Sequence, residues 1–457
     1  MKYGLVQPGQ TAAQAPCPVD SYRVLPAPTV PGDLHGYAVL DEIVAVVGAG
    51  KHDIVNLSLG PSLAVEDSTE PNRWTCELDQ LAWEQDVLFI VAAGNDGDQD
   101  QVTGLHRVQV PADMVNGFAV GASDAMPTEP KWARAEYSSM GPGRHGNRIQ
   151  PAGLQFGGTD GTPFPLLRAD GSFLNGKGTS FSAPLMTHAM SVLGTRLPAA
   201  TPSVYRAFGV HFAERHRTYR KLVDEIGHGR FPIDLEGLLD CPADEAHVLI
   251  VDEIGRGELL GYQVPVPDAV SSNLEIRVTL SYLSPVEPSE VTEYTRAALE
   301  MVLRPHEMIH SIRPPKDSKE GKAQTLDYTS PEPRKLFELG WEMSQEPVAK
   351  SLGAPPGSSE AKLRESGKWE TVRHHRMNVA AGEVLNPRLE LGYVARRAGS
   401  IDNSPTTVPF AILVSIIDKD GAGDLHDKVD SQFSRLQQLS TVPVRVGANA
   451  ALVQGHS

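Results

Sequence analysis

Three short segments carry residue types that could act on a carbonyl group. The first is Gly178-Thr179-Ser180-Phe181-Ser182-Ala183-Pro184, followed by Leu185, Met186 and Met190 at helical spacing. It places a hydroxyl where a glycine-bearing loop enters a helix. There the free N–H groups and the positive end of the helix favour a developing alkoxide or oxyanion. Gly178 has no side chain, so a substrate can approach the backbone, and Pro184 fits if it falls within the first helical turn. The same residues equally suit a simple helix cap, with Thr179 or Ser180 accepting from the backbone. The second segment, Ala92-Ala93-Gly94-Asn95-Asp96-Gly97, closes an apolar run. A side-chain amide at the carboxyl end of a strand can donate to an oxyanion, and such a donor contributes about 2.7–4 kcal/mol to a transition state. Read alone, Asn-Asp-Gly is an ordinary turn. The third, Asn56-Leu57-Ser58-Leu59-Gly60, is a strand running into a glycine, an edge to which an extended peptide could add.

The elements that must position these groups follow from periodicity. Tyr22 to Leu25 reads as a strand. Val39, Leu40, Ile43 and Val47 recur at helical spacing within 36–47, and Leu78, Leu81 and Ala82 mark a second amphipathic helix. Asp53 to Leu59 and Gly117 to Ser123 read as strands. Val87 to Ala93 is continuously apolar, as in a strand buried on both faces of a parallel sheet. The βαβαβ order predicts an α/β fold, an open parallel sheet with helices on both faces and a ligand site beyond the carboxyl ends of the strands. Near residue 240 the pattern changes. Leu274, Ile276, Val278 and Leu280 alternate with Glu275, Arg277, Thr279 and Ser281, the signature of a strand wet on one face. With similar segments at 245–251, 387–395 and 408–418, residues 241–457 are expected to form an antiparallel β-sandwich after a first domain of 1–240. The Pro-, Lys-, Ser-, Glu- and Gly-rich stretch at about 313–368 is expected to be a mobile polar insertion.

Taken in order, the three segments resemble the subtilisin-like serine proteases, the subtilases. That family carries an S-L-G substrate strand, an A-A-G-N oxyanion segment and a G-T-S-x-[AS]-x-P nucleophile. Tyr137-Ser138-Ser139-Met140-Gly141-Pro142 is similar to the family's F-S-S-x-G-P, and Gly227-His228-Gly229 to its closing turn. The resemblance covers roughly residues 20–240. It implies a subtilisin-like fold and a serine-type endopeptidase acting through an acyl-enzyme. Ser180 would be the nucleophile, Asn95 the oxyanion donor, and Ser58, Leu59 and Gly60 the peptide-binding edge.

A serine needs a base in hydrogen-bond reach, and the base an orienting carboxylate. The family's D-[ST]-G and H-G-T-x-V-A motifs are absent here. The nearest candidates are Asp20-Ser21-Tyr22 and His35-Gly36-Tyr37. Pro16 and Pro18 argue against a central strand before Asp20. Only 22 residues separate His35 from Ser58, room for one helix and one strand. His35 is therefore expected to be a surface loop or helix-start residue. The chain is expected to begin inside the fold, without the Asp strand and most of the His helix, and to show little proteolysis alone. Three origins are then open: the true start lies upstream, another chain supplies the missing part, or the protein is a truncated remnant.

Composition narrows the partners. The 457 residues hold 41 Lys+Arg against 57 Asp+Glu, a net charge of −16, which disfavours nucleic acid and anionic membranes. Val87–Ala93 and Phe410–Ile417, the longest apolar runs, fall far short of the roughly 20 residues that span a bilayer. Three scattered cysteines, Cys17, Cys76 and Cys241, and an N-terminal stretch without an apolar core make the cytoplasm the expected compartment. His306-Glu307-Met308-Ile309-His310 matches H-E-x-x-H. That chemistry needs a helix, and Pro305, Pro314, Pro315 and the strand-like alternation before it point to a strand end and loop. His374 and His375 would face opposite sides of a strand. No metal or cofactor is expected. Two readings stand: a serine endopeptidase with peptide or protein substrates, and a non-catalytic subtilase-like protein that binds peptides or a partner.

Overall fold

The computed structural model describes residues 1–436 apart from 26–32, 66–69, 198–199, 217–218, 269, 271–272, 316–321, 353–357, 381, 397–403, 422 and 435. Its first half is built on four parallel strands, β1 (Ile54–Leu57), β2 (Leu88–Ala92), β3 (Phe118–Ser123) and β4 (Gly153–Phe156), in the order β1-β2-β3-β4. Helices α1 (Tyr37–Ala49) and α2 (Arg73–Gln85) cover one face, and α3 (Thr179–Arg196) and α4 (Pro202–His211) the other. Side chains alternate accordingly. Phe89 and Val91 pack with Leu40, Ile43, Leu78 and Leu81, while Leu88 and Ile90 pack with Met186, Met190 and Phe208. This accounts for the unbroken apolar run in β2.

Local signals set the helix ends. Asp33 accepts from the backbone N–H groups of Tyr37 (2.8 Å) and Ala38 (3.0 Å), starting α1. Asn72 caps α2 through Trp74 N–H at 3.0 Å. Two expectations fail here. Tyr22 to Leu25 is irregular chain, with Tyr22 and Leu25 53% and 57% exposed, and no strand partner offsets that exposure. Pro184 lies inside α3, five residues beyond its first residue and past the first turn. Lacking an N–H, it leaves the carbonyl of Ser180 without its usual helical donor.

The second half contains β7 (Glu245–Gly255), β8 (Leu259–Gln263), β9 (Leu274–Tyr282), β10 (Ala297–Arg304), β15 (Val372–Val379), β16 (Arg388–Ala395) and β17 (Thr407–Asp418), after a hairpin β5 (Phe164–Leu167) and β6 (Phe173–Gly176). Two antiparallel sheets, β15-β9-β17-β7 and one built on β10-β16-β8, enclose a core of Ile276, Val278, Leu280, Leu299, Leu391, Ile412 and Val414. The sandwich expected from periodicity is present. The wet face expected of β9 is not: Glu275, Thr279 and Ser281 are buried, because α4 lies across that side. Leu413, Ala411 and Val372 join the core around α3 and α4, so the two halves share one apolar interior. The polar stretch expected to be mobile carries β12 (Gln324–Asp327) and β13 (Glu342–Pro347), which pair on either side of β11 (Ile309–Arg313). The strand pair β14 (Lys350–Ser351) with β10 and two short helices complete it.

Candidate active site

The nucleophile segment and the amide segment meet at the carboxyl end of the parallel sheet. Asn95, just past β2, accepts from the backbone N–H of Thr179 at 2.9 Å and from Thr179 Oγ1 at 3.0 Å. Only the amide oxygen can accept from an N–H, so Nδ2 is the end left to donate elsewhere. Thr179 Oγ1 in turn lies 3.3 Å from the N–H of Gly94. Thr179 is thus a buried clamp that ties the first residue of α3 to the end of β2. Ser180 follows it in the first turn of α3, half-buried, where backbone N–H groups still lack helical partners.

Gly178 adopts φ 151° and ψ 152°, a conformation effectively restricted to glycine, and an ideal Cβ there would sit 3.7 Å from Asn95 Oδ1. The loop is held from behind by Tyr137. Its hydroxyl donates to Gly158 O at 2.8 Å and accepts from Gly178 N–H at 3.0 Å. Burial pushes the Tyr137 hydroxyl well above its ordinary titration range, so it stays a neutral hydrogen-bonding group. Motif matching marked Tyr137 only as part of a conserved-looking string. Its added hydroxyl, relative to the family's phenylalanine, was the available signal, as Thr179 was for the clamp.

Ser58 to Gly60 continue β1, the outer strand of the parallel sheet among the described residues. Asn56 fixes this strand to α3: Thr187 Oγ1 donates to Asn56 Oδ1 at 3.0 Å, and Asn56 Nδ2 donates to Ser58 Oγ at 3.3 Å. Gly60 is required where it stands, since a Cβ would come within 2.4 Å of Val110 O. A cavity of about 360 Å³ is lined by Phe181, Pro184 and Leu185 of α3, by Phe164 and Leu166, and by Met1 to Gly4 and Val6.

No hydrogen bond reaches Ser180 Oγ among the described residues. His35 is exposed at the start of α1, stacked on Tyr37 at 5.4 Å, with its carbonyl accepting from Trp74 Nε1. It lies with α1 and α2, on the sheet face opposite α3. Asp20 is exposed on irregular chain. The H-E-x-x-H string forms a bridge, a turn and the start of β11, with His306 accepting from Met308 N–H and His310 Nδ1 3.0 Å from Ser344 O.

The geometry joins a parallel sheet with helices on both faces, a glycine-led helix start carrying Ser180, and the Asn95 amide clamped beside it. Residues 21–229 match the model of the subtilase family. Uncharacterized protein y4bN of Sinorhizobium fredii (strain NBRC 101917 / NGR234) is 27% identical over 291 residues, covering 50% of this chain and 66% of that protein. The chain therefore spans just under two thirds of that relative's length. Among solved structures, the self-cleaved protease domain of PatA is similar at 23% identity, covering 44% of this chain and 68% of that chain, with a TM-score of 0.32. The structure of the subtilase cytotoxin SubAB assembly is similar at 17% identity, covering 47% and 67%, with a TM-score of 0.36. The epidermin leader peptide processing serine protease (EpiP) of Staphylococcus aureus is 18% identical, covering 43% and 52%, with a TM-score of 0.32.

Proposed function

We propose that this chain is a serine endopeptidase of the subtilase family, acting on peptide or protein substrates. An extended peptide adds along Ser58–Gly60, and Ser180 Oγ attacks its scissile carbonyl. Asn95 Nδ2 donates to the oxyanion that forms, which collapses to an acyl-enzyme that water releases. The observation that carries this reading is the Asn95–Thr179 clamp, which spends the amide oxygen on the helix backbone and leaves the amide nitrogen beside the nucleophile turn.

The general base and its carboxylate come from outside the described residues, so those residues alone are close to inactive. The cytoplasm is the proposed compartment, consistent with Cys17, Cys76 and Cys241 all being free thiols. A second reading, a peptide- or partner-binding protein without catalysis, is favoured by the unpartnered Ser180 Oγ. Fluorophosphonate labelling of the purified chain tests the division of labour. Little or no adduct is expected. Rapid labelling that disappears in Ser180→Ala overturns the external base.

A further inference from the structure

The buried face of β9 leads to an arrangement of side chains that the peptidase reading leaves unused. His211, the last residue of α4, enters the sheet β15-β9-β17-β7 with no solvent exposure. Its Nδ1 lies 2.8 Å from Thr279 Oγ1 on β9, and its Nε2 lies 2.7 Å from Ser415 Oγ on β17. Each hydroxyl continues to a second imidazole: Thr279 Oγ1 to His374 Nδ1 on β15 at 2.8 Å, and Ser415 Oγ to His247 Nδ1 on β7 at 2.7 Å. The sequence His374–Thr279–His211–Ser415–His247 therefore crosses all four strands in sheet order, and α4 is bound to the sheet through its centre.

A neutral imidazole has one N–H and one lone pair, and a hydroxyl between two imidazoles donates to one and accepts from the other. The hydrogen bonds consequently run in one direction along the whole chain of groups. Charge is poorly accommodated here. From β9, Arg277 faces the cluster, and Glu275 is committed to Arg277 and Arg376. From β15, His375 lies near His374, Arg376 is bound to Glu275, and Arg373 turns to Leu299 O inside the sandwich. After α4, Arg215 is bound to the carbonyls of Val210 and Ala213, and Arg206 within α4 to those of Tyr282 and Val115. The closing turn adds His228, and the helix Leu425–Gln432 adds His426. Among the described residues, only Glu245, 3.4 Å from His247 Nε2 at the sheet edge, offers a compensating charge.

Burial first, and these cations second, hold His211 and His374 well below the usual imidazole range, with His247 near 4, His375 near 4 and His228 near 3. Folded values below the unfolded one mean stability that is full above about pH 6.5 and is lost as pH falls beneath it. Two buried carboxylates between the halves act in the opposite sense. Asp79 and Glu370 are raised to about 7 by burial, so their contribution is present at low pH and is lost as pH rises through 7.

We propose that this five-residue chain is an acid-released latch: with its imidazoles neutral it clasps α4 to the C-terminal sheet, and at about pH 5 it lets that sheet separate from α4 and from α3, which carries Ser180. The test is hydrogen–deuterium exchange on the full chain at pH 7.5 and pH 5.0, corrected for intrinsic exchange. Amides in α4, β9 and β17 are expected to lose at least about tenfold protection while those in β2 and β3 keep theirs. Unchanged protection in α4, β9 and β17, or equal loss everywhere, overturns the proposal. His211→Gln keeps a donor and an acceptor but takes up no proton, and should reduce the acid response about tenfold per pH unit; an undiminished response also overturns it. Should that variant not fold, ring ¹⁵N shifts in the unmodified chain decide. Neutral His211 and His374 at pH 6 support the latch, and an imidazolium at either contradicts it.

Discussion

Helices α3 and α4 are neighbours, yet they present the two groups of a hydrolytic pair in opposite circumstances. At the start of α3, Ser180 is half-buried, next to a clamped amide, and without a base among the described residues. At the end of α4, His211 is wholly buried, with both ring nitrogens bonded to hydroxyls. The serine site has access and lacks a partner. The histidine site is fully partnered and lacks access. Residue type does not make chemistry; the opening beside a group and the proton traffic it permits do. The open site sits at the carboxyl end of the parallel sheet, just past β2, and the closed one at the seam where the sandwich completes the core.

The closed seam should respond most strongly to substitution. Arg144 and Asp113 form a buried ion pair, with Arg144 Nε 2.6 Å from Asp113 Oδ2 and Thr75 Oγ1 donating to the other oxygen at 2.7 Å. Arg144→Ala strands that carboxylate and should cost about 3–5 kcal/mol in denaturant unfolding. A loss under about 1 kcal/mol would break the contrast between closed and open regions. Leu413→Ala, in the interior shared by both halves, should cost about 2–5 kcal/mol. Tyr137→Phe removes the hydroxyl behind the nucleophile loop and should cost about 1 kcal/mol, because Gly178 N–H retains Gly157 O at 2.9 Å. Smallest is Arg73→Ala. Its bonds to Glu77 and Asp41 are exposed, and the thermal midpoint should move by the equivalent of at most about 1 kcal/mol.

Much of this fold was legible in the sequence because single-layer burial leaves a clear period. The spacing of Val39, Leu40, Ile43 and Val47 gave α1, and the unbroken run at Val87–Ala93 gave a strand covered on both sides. Where a polar residue is buried by hydrogen bonding rather than left in water, the pattern misleads. Thr279 and Ser281 read as a wet face, yet Thr279 is enclosed between His211 and His374. Tyr22 to Leu25 has strand composition without a strand to pair with, a fact of tertiary placement that no local period records. Pro184 was expected one turn too early because motif matching fixes the order of residues and leaves the helix start open. For the candidate site, the motifs pointed to Ser180, Asn95 and Ser58–Gly60, and the structure brings the Ser180 and Asn95 segments together. Thr179, Tyr137 and the Asn56–Thr187 tie, which hold them, carry no spacing signal.

The central claim is that Ser180 is a nucleophile beside an Asn95 donor and waits for a base. It is tested most directly by the initial rate of fluorophosphonate labelling of the full chain with and without free imidazole as a diffusible base. The account predicts labelling that depends on imidazole, is absent in Ser180→Ala, and falls about 10²–10³-fold in Asn95→Ala. Labelling that is equally fast without imidazole, or indifferent to Asn95→Ala, would contradict it.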